Sequence, residues 1–443
     1  MRQIRQHRKA HGERPCTLGQ RWQHGAMATL KPFRALRPTP HEAAQVAAPP
    51  YDVVDEAEAA ALAKGRPHSF LHVTRPEIDL AGPDGVPADP HSDAAYAASR
   101  AALDALVADD VLRPDAAPTY TVYAAPAADG SGGVQVGVVG LVSAAEYRAG
   151  VVRTHEHTRP DKLEDRRRHI EAVGGHDEPV LLLAAPDAEV DRVLAEVTAT
   201  PPDVDVPDAV DGGSFRLWVV ADAAHVGALE RVFAAMPDLY VADGHHRSEA
   251  AALVHDARAA DGTPGHGAHW FPALVIPADR ACVLPYDRLV RDLGGHSPAD
   301  VLALLHDHWT VTRADAPVRP AARGEVGLYL DGAWYRLVLR PGVVPADADP
   351  VVRLDVHVLQ ASVLDPVLGI TDPRTDPRIG FVGGRTPADL AAVVDAGRAA
   401  CAFALHPTSP DDVMAVARSG AVMPPKSTWF APKPYSGLFV HRY

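Results

Sequence analysis

The chain has 443 residues, 47% of them hydrophobic and 23% charged, with a formal net charge of −14. That length accommodates two or three domains, and the apolar share suffices for a packed core. An acidic body is repelled by nucleic acid and by anionic membrane, which argues against both as partners but leaves room for a local basic pocket that takes a small anion. No apolar run approaches the roughly 20 residues of a membrane-spanning helix. Cys16, Cys282 and Cys401 are odd in number and far apart, which fits a reducing cytoplasm without a disulfide framework.

Residues 1–27 are basic, with Arg2, Arg5, Arg8, Lys9, Arg14 and Arg21 against Glu13. They lack the apolar centre of a secretory signal, so they read as a disordered extension or as translation from upstream of a start at Met27. Residues 28–54 read as extended. Pro49 and Pro50 stiffen the chain and present Tyr51 and Asp52 on a rigid turn. Helices are expected at 55–65 and 92–112, where apolar residues recur every three or four positions. Between them, residues 69–77 read as a strand leading into a loop at Arg75. Strands at 119–125 and 134–144 flank an Asp-Gly-Ser-Gly-Gly turn, which is a hairpin signal.

A dense polar run follows: His155, Glu156, His157, Thr158, Asp161, Lys162, Asp165 and Arg166 fall within twelve positions. His155 and His157 share a face if the segment is extended. On a helix, Asp161/Asp165 and Lys162/Arg166 are like-charge neighbours, which repel unless something is held between them. A buried strand at 180–184 is led by Asp177-Glu178-Pro179. A helix and a Pro/Asp/Gly loop occupy 186–213, a strand 215–220 and a helix 223–235.

The next stretch holds the densest chemistry. Residues 239–243 read as a buried strand, Gly244 as a hinge, and His245-His246-Arg247 as the start of a helix running to about residue 260. Free N–H groups at a helix start, with the positive end of its dipole, favour anions. Arg247 adds a planar fork of donors, and Asp243 is suited to a proton or a metal. Beyond a loop with His266 and His269, strands are expected at 270–277 and 283–290, the second carrying Arg288. From 297 the pattern changes to an α+β lobe: helices at 298–308, 353–365, 390–400 and 411–420, and strands near 309–313, 325–331, 334–340, 378–384 and 401–405. The chain ends in a proline-stiffened segment with Lys426, Ser427, Thr428 and Lys433. It carries two of the few lysines in the sequence, and its Lys-Ser-Thr is chemically suited to phosphate.

Ala48-Pro-Pro-Tyr-Asp-Val-Val, His155-Glu-x-Thr with Asp165-Arg166, Glu178-Pro-Val, Tyr240-Val-Ala-Asp-Gly-His-His-Arg and Met423-Pro-Pro-Lys-Ser-Thr together resemble the family of domain of unknown function 1015, from about residue 30 to the C-terminus. More distantly, Asp243-Gly-His-His-Arg resembles the phosphate-gripping turn of the ParB/sulfiredoxin superfamily, above all its free serine kinases, where such a turn lies at the phosphate site with Mg²⁺. The resemblance implies an α+β fold: a mixed-sheet ParB/sulfiredoxin-like core over 28–296 with large insertions, and a lobe over 297–443 that contributes to the same cleft.

It also implies a Mg²⁺-dependent phosphotransferase acting on a small hydroxylated metabolite such as free serine, the donor being ATP, ADP or pyrophosphate. On that reading Asp243, His245, His246 and Glu156 are the catalytic candidates, with Glu156 as base and Asp243 as the candidate Mg²⁺ ligand. Gly244, Arg247, His155, Thr158, Lys162, Arg166, Lys426, Ser427, Thr428, Lys433, Tyr51 and Asp52 would bind phosphate or substrate. A nucleotide-binding regulator without turnover and a metal-dependent hydrolase using His155, His157, Asp243, His245 and His246 are the alternatives.

Overall fold

Short, almost wholly apolar runs such as Val180–Ala184 and Trp270–Pro277 can be satisfied only as strands buried on both faces. They form the middle of a nine-stranded mixed sheet in a computed structural model that describes residues 27–80, 88–262 and 267–443. The basic extension and His266 lie outside the described residues. Across the sheet the strands run Val152–Arg153, Leu239–Asp243, Val180–Ala184, Trp270–Pro277, Val134–Ser143, Tyr120–Pro126, Phe215–Val220 and Val204–Val206, with Leu30–Lys31 paired to Val134–Ser143. The expected hairpin is present, Tyr120–Pro126 pairing antiparallel with Val134–Ser143.

Alternation sorts these strands into two cores. Val180, Leu182, Leu239, Val241, Ala273 and Val275 face helices Ala188–Thr198 and Ala223–Phe233, whose Val193, Leu194, Leu229 and Phe233 are buried against them. Leu181, Leu183, Tyr240, Ala242, Leu274 and Ile276 face the other way and join one continuous cluster with Val326, Phe403, Val413 and Phe439. Each fully buried Val, Leu or Phe contributes about 1.5–3 kcal/mol, so this shared cluster fastens the C-terminal part firmly to the first sheet.

The second sheet has six strands in the order Trp309–Ala314, Ala333–Leu339, Glu325–Leu330, Cys401–Leu405, Tyr286–Val290 and Ile379–Gly383. The α+β expectation therefore holds, but a division at residue 297 does not match the sheets. The second sheet already includes Tyr286–Val290, and the last residues return to the first part of the chain. Leu36 bridges Val440, Ala48 bridges Ser436, and His441–Arg442 pairs with Gly175–His176.

Three local expectations are corrected. Residues 69–77 hold a short helix, Leu71–Thr74, rather than a strand. Burial of Phe70, Leu71 and Val73 in a small helical cluster overrides the β-branched composition. The Pro/Asp/Gly loop contains an edge strand, Val204–Val206. The expected helix over 353–365 is a turn of α-helix, Asp355–Leu359, continued by a π-helical turn, Gln360–Leu364.

Candidate functional site

Sheet topology decides which loops meet. Val152–Arg153 and Leu239–Asp243 are parallel, so the segments leaving their C-terminal ends emerge on one edge. Those segments are the loop with His155 and Glu156 and the turn at Gly244. Val180–Ala184 runs antiparallel to Leu239–Asp243, which brings its leading residues, Asp177-Glu178-Pro179, to the same edge. The register of this pair shifts between Val241 and Asp243. Such an irregularity re-aims a side chain, and here it falls at the acidic residue of the turn. The C-terminal segment then crosses the edge, anchored where Met423 N donates to His155 O at 2.9 Å.

Gly244 adopts φ +94°, a left-handed conformation in which a Cβ would lie 3.1 Å from the Arg247 side chain. The chain can therefore reverse at once from strand into the helix His245–Ala260. That helix begins without a side-chain cap, leaving its first N–H groups for whatever occupies the adjoining cavity. The cavity has a volume of about 180 Å³. Tyr51, Asp52, His155, Glu156, Asp243 to Arg247, Lys426, Ser427, Thr428 and Lys433 line it, and Tyr286, Trp429 and Phe430 form an aromatic wall.

An ion network organises the floor. Lys433 Nζ lies 2.9 Å from Asp243 Oδ1 and 2.8 Å from Asp52 Oδ2, and Arg247 Nη2 donates to Asp243 Oδ2 at 2.8 Å. The other end of the guanidinium donates to Pro179 O. Burial would raise the Asp243 carboxyl, but Lys433 and Arg247 outweigh it and hold the group below the usual carboxylate range. Burial works against the charged Lys433 ammonium, yet Asp243 and Asp52 reverse that and push its pKa up. Both groups are ionised at neutral pH.

The histidines are tuned the opposite way. The His155 and His245 rings meet edge to face with centroids 4.5 Å apart. Burial drives His155 down to about 4, and burial together with His155, His246 and Arg247 drives His245 well below the ordinary value. Both are neutral at pH 7, and His155 Nδ1 and His245 Nε2 are buried without a protein partner. Glu156 Oε2 lies 3.5 Å from His245 Nδ1, and the Glu156 side chain is 47% exposed. Desolvation raises its carboxyl against the pull of Lys426. With half the side chain open to water, that rise is modest.

The structure thus brings Tyr51, Asp52, His155, Glu156, Asp243, Gly244, His245, His246, Arg247, Lys426, Ser427, Thr428 and Lys433 to one cavity. Not all of them have free groups. Ser427 Oγ is spent on Pro424 O at 2.6 Å, and His246 Nε2 accepts from Arg159 N at 3.0 Å. Thr158, Lys162 and Arg166 do not line it, nor does His157, which is exposed. Arg166 stacks on the far side of the Tyr51 ring, 3.8 Å from its centroid, and is paired with Asp165 at 2.8 Å. The like-charge neighbours of helix Pro160–Val173 are therefore not bridged by a ligand in the cleft. Asp165 is neutralised by its own neighbour, and Asp161 is exposed beside Arg159.

Two residues that the sequence marked, Glu178 and Arg288, hold the site together. Glu178 accepts from Tyr51 N at 3.1 Å and Ser436 Oγ at 2.6 Å, tying three distant segments together. Arg288 is buried and donates to the carbonyls of Tyr286 and Lys426, at 2.9 and 3.0 Å, fixing the loop in which Lys426 adopts φ +57°. The signal was a pair of charged residues, Asp287 and Arg288, within a short strand.

A metal must be fitted to this donor set. Among the described residues, no group of three or more His, Cys, Asp or Glu side chains is arranged to hold one. Asp243, the candidate Mg²⁺ ligand, has a cation on each oxygen. Glu156 is the carboxylate with open lone pairs. Mg²⁺ usually takes one or two carboxylates and completes its shell with substrate phosphates and water, so the residues fit it at Glu156 rather than at Asp243.

No curated protein matches the chain. Among solved structures, a free serine kinase in complex with AMP is 13% identical, covering 68% of this chain and 91% of its own, with a TM-score of 0.34. A conserved hypothetical protein from Pyrococcus furiosus is 13% identical over 67% and 93% of the two chains, with a TM-score of 0.32. SbnI with a C-terminal truncation from Staphylococcus aureus is 12% identical over 68% and 86%, with a TM-score of 0.33. These likenesses are distant. No helix of the described residues is long and apolar enough to cross a membrane. The family profile described as a protein of unknown function, DUF1015, matches residues 30–357, well over half of the sequence, and the chain belongs to that family.

Proposed function

We propose that this protein is a phosphotransferase that moves a phosphoryl group onto the hydroxyl of a small metabolite, with free serine as the first acceptor to test. One observation carries the reading. Lys433 and Lys426, from the end of the chain, line one cavity with the uncapped start of the helix His245–Ala260 and the half-open carboxylate of Glu156 beside His245. Phosphoryl transfer asks a protein mainly to position the reactants and neutralise spread-out negative charge. Backbone N–H groups, two ammonium groups and a guanidinium are the donors such charge needs. Serine is small enough for the cavity of about 180 Å³. The likeness of Asp243-Gly-His-His-Arg to the turn of free serine kinases points to the same substrate.

In the step itself the acceptor hydroxyl oxygen forms a bond to phosphorus as the bond from phosphorus to the leaving oxygen breaks. Glu156 takes the hydroxyl proton. Its pKa lies above the ordinary glutamate value, which brings it nearer the operating pH that makes a general base efficient. Arg247 and Lys433 hold the transferred group, and Asp243 holds them. A Mg²⁺ at Glu156 would supply further charge neutralisation to the phosphates. The test is incubation with serine, Mg²⁺ and in turn ATP, ADP and pyrophosphate, with phosphoserine measured by mass spectrometry. Absence of product with all three donors overturns the serine assignment. Tight binding of ATP, ADP or CTP without transfer to any hydroxylated metabolite makes the cleft a nucleotide-responsive regulator instead.

A further inference from the structure

Behind Tyr51 lies a second polar cavity of about 170 Å³, walled by Arg75, Tyr96, Ser99, Lys162, Asp165 and Arg166. We propose that it binds a small metabolite carrying a single carboxylate or phosphate group, held by Lys162 and Ser99. The proposal rests on binding alone and does not require the cleft to transfer phosphate.

The charges identify the ligand. Asp165 Oδ1 accepts from Tyr96 Oη at 2.9 Å and lies 2.9 Å from His91 Nδ1, and its Oδ2 accepts from Arg166 at 2.8 Å. It is saturated. Glu77 lies 2.7 Å from Arg75 Nε, and Arg75 Nη1 donates to Tyr51 O at 3.1 Å. Both acids are thus matched by guanidinium groups of the same wall, so neither calls for a cation. Two groups are left over. Among the described residues no carboxylate lies within 4.0 Å of Lys162 Nζ, and Lys162 stands exposed at the cavity rim. Ser99 is 0% exposed, and its Oγ has no hydrogen-bond partner.

A buried hydroxyl without a partner is costly unless something in the cavity satisfies it. An ammonium at the mouth and a hydroxyl at the back suit an elongated monoanion with a polar group at its far end. The cavity, at about 170 Å³, has room for a small molecule.

The two cavities share a wall. Tyr51 lines both, with Arg166 stacked on its ring and its backbone N donating to Glu178. Its neighbour Asp52 holds Lys433. A ligand behind Tyr51 therefore sits one residue from the ion network of the first cavity.

Equilibrium dialysis of the full chain against inorganic phosphate, and separately against acetate, counts the sites. Two sites per chain for one of the probes are expected, and the probe that fills the second identifies its headgroup. Lys162→Gln, a surface change that leaves folding intact, should weaken one site about tenfold or more and leave the other unchanged. Lys433→Gln should do the reverse. Ser99→Ala, checked for native circular dichroism, should weaken the same site as Lys162→Gln. A single site that responds to Lys433→Gln alone overturns the proposal, as does two-site binding that neither Lys162→Gln nor Ser99→Ala alters. Failure to detect phosphoserine would leave these results standing, so the two readings fail separately.

Discussion

Tyr51 divides two cavities that are built from similar residues on opposite principles. Behind it, charges are matched locally: Asp165 pairs with Arg166, its next neighbour in the chain, and Glu77 with Arg75, two residues away. In front of it, Lys433 joins Asp52 and Asp243 from hundreds of residues away. Local pairs form wherever a helix or turn places them and neutralise themselves. Long-range pairs require the whole fold, and the fold has set them beside an uncapped helix start and an open glutamate. The second arrangement holds charge in readiness for a ligand, whereas in the first it is Lys162 and Ser99 that stand without a matching group.

That contrast is most directly broken at Lys433. Lys433→Met leaves Asp52 without its cation and Asp243 with Arg247 alone. Stability should fall by about 3 kcal/mol, because removing one partner of a largely buried pair strands the other, and any phosphoryl transfer should fall about 10²–10³-fold. Urea denaturation and product formation measure the two. A mutant with wild-type stability would make the network an incidental surface contact.

Acid comes next. His155 stays neutral in the fold down to about pH 4, against an ordinary value of 6.5. Between those values the unfolded chain binds a proton that the folded one refuses. Stability should therefore drop as the pH falls from 6.5 towards 4, by up to ~3 kcal/mol. Asp243, whose pKa is lowered, adds its own loss only below the ordinary carboxylate range. Denaturation curves at pH 7, 5.5 and 4.5 should show the His155 part shrink in His155→Phe. An unchanged slope in that variant would place the acid sensitivity elsewhere.

Glu156→Gln should lower turnover about 10²–10⁴-fold yet change stability by no more than ~0.5 kcal/mol, since the side chain is half exposed and makes no close pair. In the parent protein, activity should rise with pH through a value above 4.5, as the raised Glu156 carboxyl loses its proton. Gly244→Ala should cost about 1–2 kcal/mol for a left-handed non-glycine residue, with Arg247 displaced and anion binding weakened. The smallest effect is expected at Arg192, which pairs with Glu189 and Glu196 on an exposed helix face. Arg192→Ala should leave both the denaturation curve and activity essentially unchanged.

The amino-acid sequence by itself determined the parts whose physics is local. Apolar runs marked the buried strands at 180–184 and 270–277, and three-to-four-residue spacing marked the helices. Asp243-Gly-His-His-Arg announced a strand, a hinge and a charged helix start, because only glycine takes φ +94° there without strain. Tertiary structure decided direction and company. Lys162 and Arg166 look like further phosphate contacts in a linear reading, but the phase of helix Pro160–Val173 turns them behind Tyr51. The irregularity at Asp243 depends on pairing with Val180–Ala184, which no run of residues reveals. Lys433 reaches Asp243 because the last residues return across the first sheet, held by the bridges of Ser436 and Val440 to Ala48 and Leu36. Local preference is set by a handful of neighbouring side chains, while a site assembled from residues 51 to 433 exists only once two sheets have packed on a common core.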